Sequence, residues 1–193
     1  MVSTDLWLAV QFALGAVFCT AGVAKLTDFR SFAGVVRDYE MVPVRLVPVV
    51  AGGVVAVELL AGAGLATGLA LGYALLVAGV LSLVFLAAVV VNLSRGRLVS
   101  CGCFGPHSED ISWRTVGRLL VLLAAVVDLA VHRWAAGGSG PVWAGGVGSQ
   151  DLLAAVGFAV AAVVVAMWAF ELPVLSRTVL VSRVTTAAGK GTR

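Results

Sequence analysis

Apolar residues in this chain come in long, nearly unbroken runs rather than in the alternating or one-face patterns of a soluble domain. A helix crossing a bilayer needs about 20 mainly apolar residues, because about 30 Å of hydrocarbon is covered at about 1.5 Å per residue. Five stretches meet that need: 6–24, 46–67, 69–91, 113–134 and 152–172. The second and third are joined by almost nothing, around 66–72, which predicts a tight antiparallel hairpin. The segment 28–43 (DFRSFAGVVRDYEMVP) has a different pattern. Phe29, Phe32, Val35, Val36 and Tyr39 recur at helical spacing among Arg30, Arg37, Asp38 and Glu40. That predicts a short amphipathic helix lying in the interface, not a span.

Composition makes the same point more strongly. Of 193 residues, 61% are apolar and 12% charged, against about 45–50% and about 25% in soluble domains. The mean hydropathy is +1.06. No soluble domain of this size could bury so much apolar surface, so the expected fold is an all-α integral membrane protein. The N-terminal run has Asp5 as its only charged side chain and no basic leader, so it is expected to stay as a helix rather than act as a signal peptide. The expected organisation is a four-helix membrane domain over 1–135, a Gly-rich loop at 136–150, a fifth transmembrane helix at 151–172 and a basic tail at 173–193. Small residues along the second span (Gly52, Gly53, Ala56, Gly62, Gly64, Gly68) suit close helix packing in lipid.

Charge orients the chain rather than recruiting nucleic acid. The net charge is +3, but the basic residues sit between apolar runs and form no single basic face. Lys25, Arg30, Arg37 and Arg45 follow the first span; Arg95, Arg97 and Arg114 flank the 92–114 loop; Arg177, Arg183, Lys190 and Arg193 lie in the tail. The alternate connections carry only Arg133. Cytoplasmic loops collect Lys and Arg. The expected setting is the cell (inner or plasma) membrane, with the N-terminus outside and the C-terminus and 92–114 loop cytoplasmic.

That loop holds the informative stretch, SCGCFGPHSED at 100–110. Cys101 and Cys103 are separated by one glycine, so a disulfide between them closes a very small, strained ring. Strained disulfides are the reducible, exchange-active ones. Gly102 gives the backbone the freedom such a ring needs. Three chemistries are open here. One is a redox-active dithiol at Cys101 and Cys103. A second is a soft metal site with Cys101, Cys103 and His107, which lacks an evident fourth ligand, so no resident metal is expected. The third is two reduced thiols in an interfacial turn. Arg95, Arg97 and Arg114 favour the thiolate, while Glu109 and Asp110 oppose it.

Ionisable groups inside spans are costly and are functional candidates by default. Glu58 lies near mid-membrane in the second span and Asp128 deep in the fourth. Arg118 is near the cytoplasmic end of the fourth span, and Lys25 closes the first, where it can snorkel. Lys25, Arg118, Glu58 and Asp128 could pass protons, hold the head of a membrane quinone, or pair and fix helix register. Cys19, six residues before Lys25, is either a small apolar packing residue or a relay thiol for the loop.

At the loop the chain resembles a known family. CGCFG after the third span, a Lys closing the first (AGVAKLTDF) and a Glu in the second (VELLAGAGLATG) are similar to the MauE family of methylamine utilisation, within the DoxX-like redox-associated membrane proteins. The resemblance covers about residues 6–134. It implies a four-helix membrane bundle that supports maturation of methylamine dehydrogenase, whose small subunit needs many disulfides, alongside a thioredoxin-like partner. The fifth span and the tail depart from that minimal pattern. A non-enzymatic assembly or scaffold subunit is the alternative, as is a metal-handling membrane protein.

Overall fold

A computed structural model describes residues 2–97, 99–102 and 110–135. Its helices are α1 (Val2–Thr27), α2 (Phe29–Asp38), α3 (Val47–Thr67), α4 (Leu71–Ser94) and α5 (Trp113–Ala135), with a 3₁₀ turn at Val44–Leu46 leading into α3. Among the described residues, four helical segments are long and apolar enough to cross a membrane: Trp7–Thr27, Val44–Thr67, Leu71–Ser94 and Trp113–Trp134. They correspond to the first four expected spans, with ends moved by a few residues. The expected Gly-rich loop, fifth span and basic tail lie outside the described residues.

Local chemistry sets the boundaries. A proline opens α3, where its fixed φ suits a first turn and no intrahelical N–H is needed. Gly68 ends α3 in the left-handed region, and Ala70 precedes α4 in the same region, so the hairpin turns within a few residues. Ser112 precedes α5, and its backbone N–H donates to Thr115 Oγ1 at 3.3 Å.

Lipid gives helices no hydrophobic reason to associate, so they associate by close contact between small residues. The α1–α3 crossing follows that rule. A Cβ on Gly62 would lie 2.7 Å from both the backbone nitrogen and the Sγ of Cys19, and one on Gly15 would lie 2.8 Å from the nitrogen of Ala66. Fully buried Gln11 adds a hydrogen bond from Nε2 to the Leu65 carbonyl at 2.8 Å. Helix α5 closes the bundle against α4 and α1, where the Trp7 and His132 rings stack at 3.9 Å. Leu14, Phe18, Leu65, Leu75, Ala78, Val126 and Leu129 form the shared core.

Helix α2 matches the short amphipathic helix expected from 28–43. Much of its apolar face rests on protein. Phe32 packs with Ala51 and Val55 of α3, and Tyr39 packs with Val89 of α4 and with Ile111, Val116 and Leu119 at the start of α5. The helix therefore roofs one end of the bundle. The α4–α5 connection, which carries the cysteines, emerges at that same end.

Candidate functional site

Beneath the roof lies a buried ion pair. Lys25 Nζ donates to both carboxylate oxygens of Glu58, at 2.7 and 2.9 Å, and the two side chains are 1% and 3% exposed. Lys25 does not snorkel. In a helix each Cα–Cβ bond tilts toward the N-terminus. Lys25, near the end of α1, is thus sent back into the bundle, while Glu58 on antiparallel α3 is sent up to meet it. Phe32 and Phe85 flank the ammonium, with ring centroids 5.5 and 5.3 Å from Nζ. Each ring presents a face that attracts a cation.

The cysteine-bearing loop sits against the same roof. Ser100 and Asp110 form an antiparallel bridge, and Ile111 donates to the Val99 carbonyl at 2.8 Å, so the loop is pinched at its neck. Half-buried Cys101 packs against the cluster of Tyr39, Val89, Ile111, Val116 and Leu119, and Tyr39 Oη donates to the Cys101 carbonyl at 3.4 Å. Gly102 is buried with φ +65, in the left-handed region. A Cβ there would come within 2.8 Å of Val35 Cγ1 and 3.7 Å of the Phe32 ring. Phe32 thus lies near both the Lys25 ammonium and the backbone beside Cys101. Arg97, where the chain leaves α4, pairs with Glu40 at the end of α2 and ties loop to roof a second time. Cys103 and His107 lie outside the described residues.

The other candidates are dispersed. Cys19 has its sulfur against Gly62 at the α1–α3 crossing. Arg118 is half-buried on α5, and Asp128 is exposed on the same helix with no ion pair to a described residue. The four-member charge chain is therefore brought together only at Lys25 and Glu58. Among the described residues no three His, Cys, Asp or Glu side chains cluster as metal ligands. Phe32, Val35, Tyr39, Phe85 and Glu40, the partner of Arg97, are site-forming residues that motif reading missed. For those on and just after α2 the one signal was its amphipathic pattern; Phe85, inside the apolar run of α4, carried none.

Four membrane-length helices, a helical roof and a buried charge pair under a cysteine loop define a multi-pass, all-α membrane protein. A family model, Methylamine utilisation protein MauE, matches residues 3–131, and the chain belongs to this family. A methylamine utilization protein MauE from Paracoccus denitrificans is 38% identical over 128 residues, covering 65% of this chain and 68% of its own. One from Paracoccus versutus is 37% identical over 124 residues, covering 63% and 67%. A third, from Methylorubrum extorquens, is 31% identical over 123 residues, covering 63% and 66%. No solved structure matches the chain.

Proposed function

We propose that this protein performs thiol–disulfide exchange through Cys101 and Cys103 in support of methylamine utilisation, helping a partner protein gain its disulfides. The observation that carries this is the wedge at Gly102. A buried, left-handed glycine beside Cys101 and a buried lysine–carboxylate pair both lie near the Phe32 ring. Burying two ions is expensive, and in this reading the pair serves the chemistry of the loop above it as well as helix register. The names of the relatives support the pathway.

In the exchange, one loop thiolate attacks a sulfur of the partner's disulfide. The partner's S–S bond breaks, a mixed disulfide forms, and the partner's other sulfur leaves as a thiolate that takes up a proton. The second loop cysteine then attacks the mixed bond, closing Cys101–Cys103 and releasing the partner as a dithiol. In this direction two electrons pass to the partner. The disulfide-forming direction is the reverse: a partner thiolate attacks the Cys101–Cys103 bond, the partner's second thiolate displaces the loop sulfur, and the partner leaves as a disulfide with the loop left as the dithiol. Each attack needs a thiol to lose a proton, and in this reading the Glu58 carboxylate, held by Lys25, takes it up. A thioredoxin-like protein has the chemistry to be that partner, and the clustering of Arg30, Arg37, Arg45, Arg95, Arg97 and Arg114 at the loop end favours a cytoplasmic loop.

Replacing Cys103 with Ser leaves Cys101 able to attack but unable to close the ring. This variant is expected to trap the partner as a larger band on a non-reducing gel, removed by dithiothreitol. Cys101→Ser is run beside it, because either sulfur could be the attacker. If Cys19 resolves the intermediate, the band should intensify in a Cys19→Ala background. No trapped band in either variant, with full activity in cells, would replace exchange by the scaffold role.

A further inference from the structure

An apolar groove of about 880 Å³ runs between α4 and α5 on the flank of the bundle, at the end opposite the cysteine loop. Its α4 wall carries Gly72, Leu76, Gly79 and Leu83, spaced four, three and four residues apart, so they share one stripe of the helix. Leu76 and Leu83 are 64% and 51% exposed. The two glycines are not used inside the bundle. A Cβ on Gly72 would meet nothing within 4 Å and one on Gly79 only Val126 at 3.8 Å, whereas at Gly15, Gly22, Gly62 and Gly64 it would collide. In lipid, glycines left open on a concave helix face mark a place where another helix can approach closely.

The chain itself supplies a matching surface. Beyond α5, residues 152–172 form an apolar stretch of the same length as the spans, about 31 Å if helical. Alanine recurs in it at 155, 159, 162, 166 and 169, again at alternating steps of four and three, while Leu153, Val160, Val164 and Trp168 fall opposite. Helix α5 ends where α4 begins, and Ala70, Arg133 and Trp134 line the mouth of the groove there. A span that follows α5 must enter the bilayer from that end. The connector 136–151 is ample to turn the chain into the mouth.

We propose that residues 152–172 fill this groove as a helix parallel to α4, with the alanine stripe seated on Gly72, Leu76, Gly79 and Leu83. Leucines then stand against alanines and alanines against glycines, which lets the backbones come close. A second copy of the chain and membrane lipid are the competing occupants.

The test uses the full-length chain in its membrane, with Cys19, Cys101 and Cys103 replaced and a protease site placed within 136–150. Depth matching pairs Leu76→Cys with Ala159→Cys, and Leu83→Cys with Ala166→Cys. After mild oxidation and cleavage, both pairs should hold the two fragments together, and Leu83→Cys with Val164→Cys should not. A photo-crosslinking residue at Leu76, in a chain changed otherwise only by the protease site, should give the same linkage. Cross-links between two chains would overturn the proposal in favour of a dimer. Photo-adducts to lipid alone, with no fragment linkage in either pair, would overturn it in favour of a lipid-filled groove.

Discussion

Removing one member of the Lys25–Glu58 pair should do more harm than removing both. Glu58→Leu leaves a buried ammonium without its carboxylate, and breaking a buried pair this way costs about 3–5 kcal/mol. Lys25→Met together with Glu58→Leu replaces the pair by apolar groups of similar size and should recover most of that loss. Thermal unfolding in detergent measures the difference, and single and double variants of equal stability would mean the pair is not sealed from water. The double variant is further expected to fold yet trap little partner through Cys103→Ser, which separates a chemical role from a structural one. Both residues were legible in the sequence as charges bordering or inside spans. Their bond was not, because they lie 33 residues apart and a lysine at a span's end ordinarily turns to the surface. Asp128, by contrast, is exposed on α5, where an intramembrane carboxylate more often faces the bundle interior.

At the scale of elements, the glycines of α3 sort into two kinds that composition alone could not separate. Gly62 touches the backbone of Cys19, while a Cβ on Gly53 would meet nothing within 4 Å. Gly62→Ala should therefore lower stability by forcing α1 and α3 apart. Gly53→Ala should be neutral or raise it slightly, since alanine is favoured over glycine in a helix by about 1 kcal/mol. Equal effects in a melting experiment would show that the crossing is looser than described. The spans themselves were legible because each is a plain apolar run of membrane length. The roof was legible only as an element. The same stripe of Phe29, Phe32, Val35, Val36 and Tyr39 suits a helix resting on lipid or on protein, and only packing against Ala51, Val55 and Val89 decides between them. What α2 covers, namely the ion pair and the flank of the cysteine loop, could not be read from periodicity.

At the scale of the whole molecule, the bundle separates two ends of different chemistry. One end gathers the roof, the cysteine loop and most of the basic side chains; the other has the short α3–α4 turn, the stacked Trp7 and His132, and the mouth of the apolar groove. The groove's lining reaches only to Leu83 and Leu123, about halfway along α4 and α5 toward the cysteine loop, so it does not open onto Cys101. The charge bias predicts a cytoplasmic loop. A membrane-impermeant maleimide should therefore leave Cys101 and Cys103 unlabelled in intact cells and label them after permeabilisation. Labelling of intact cells would turn the molecule over and point the chemistry outward. The central claim, that Cys101 and Cys103 act as one two-electron couple, is tested most directly by redox titration. Membranes carrying the full-length protein are equilibrated across graded thiol–disulfide buffers, quenched in acid, alkylated and read by mass. The two cysteines should lose alkylation together along a two-electron curve, with a tenfold change in ratio for about 30 mV. Cysteines that stay alkylated throughout, or titrate independently of each other, would contradict the claim.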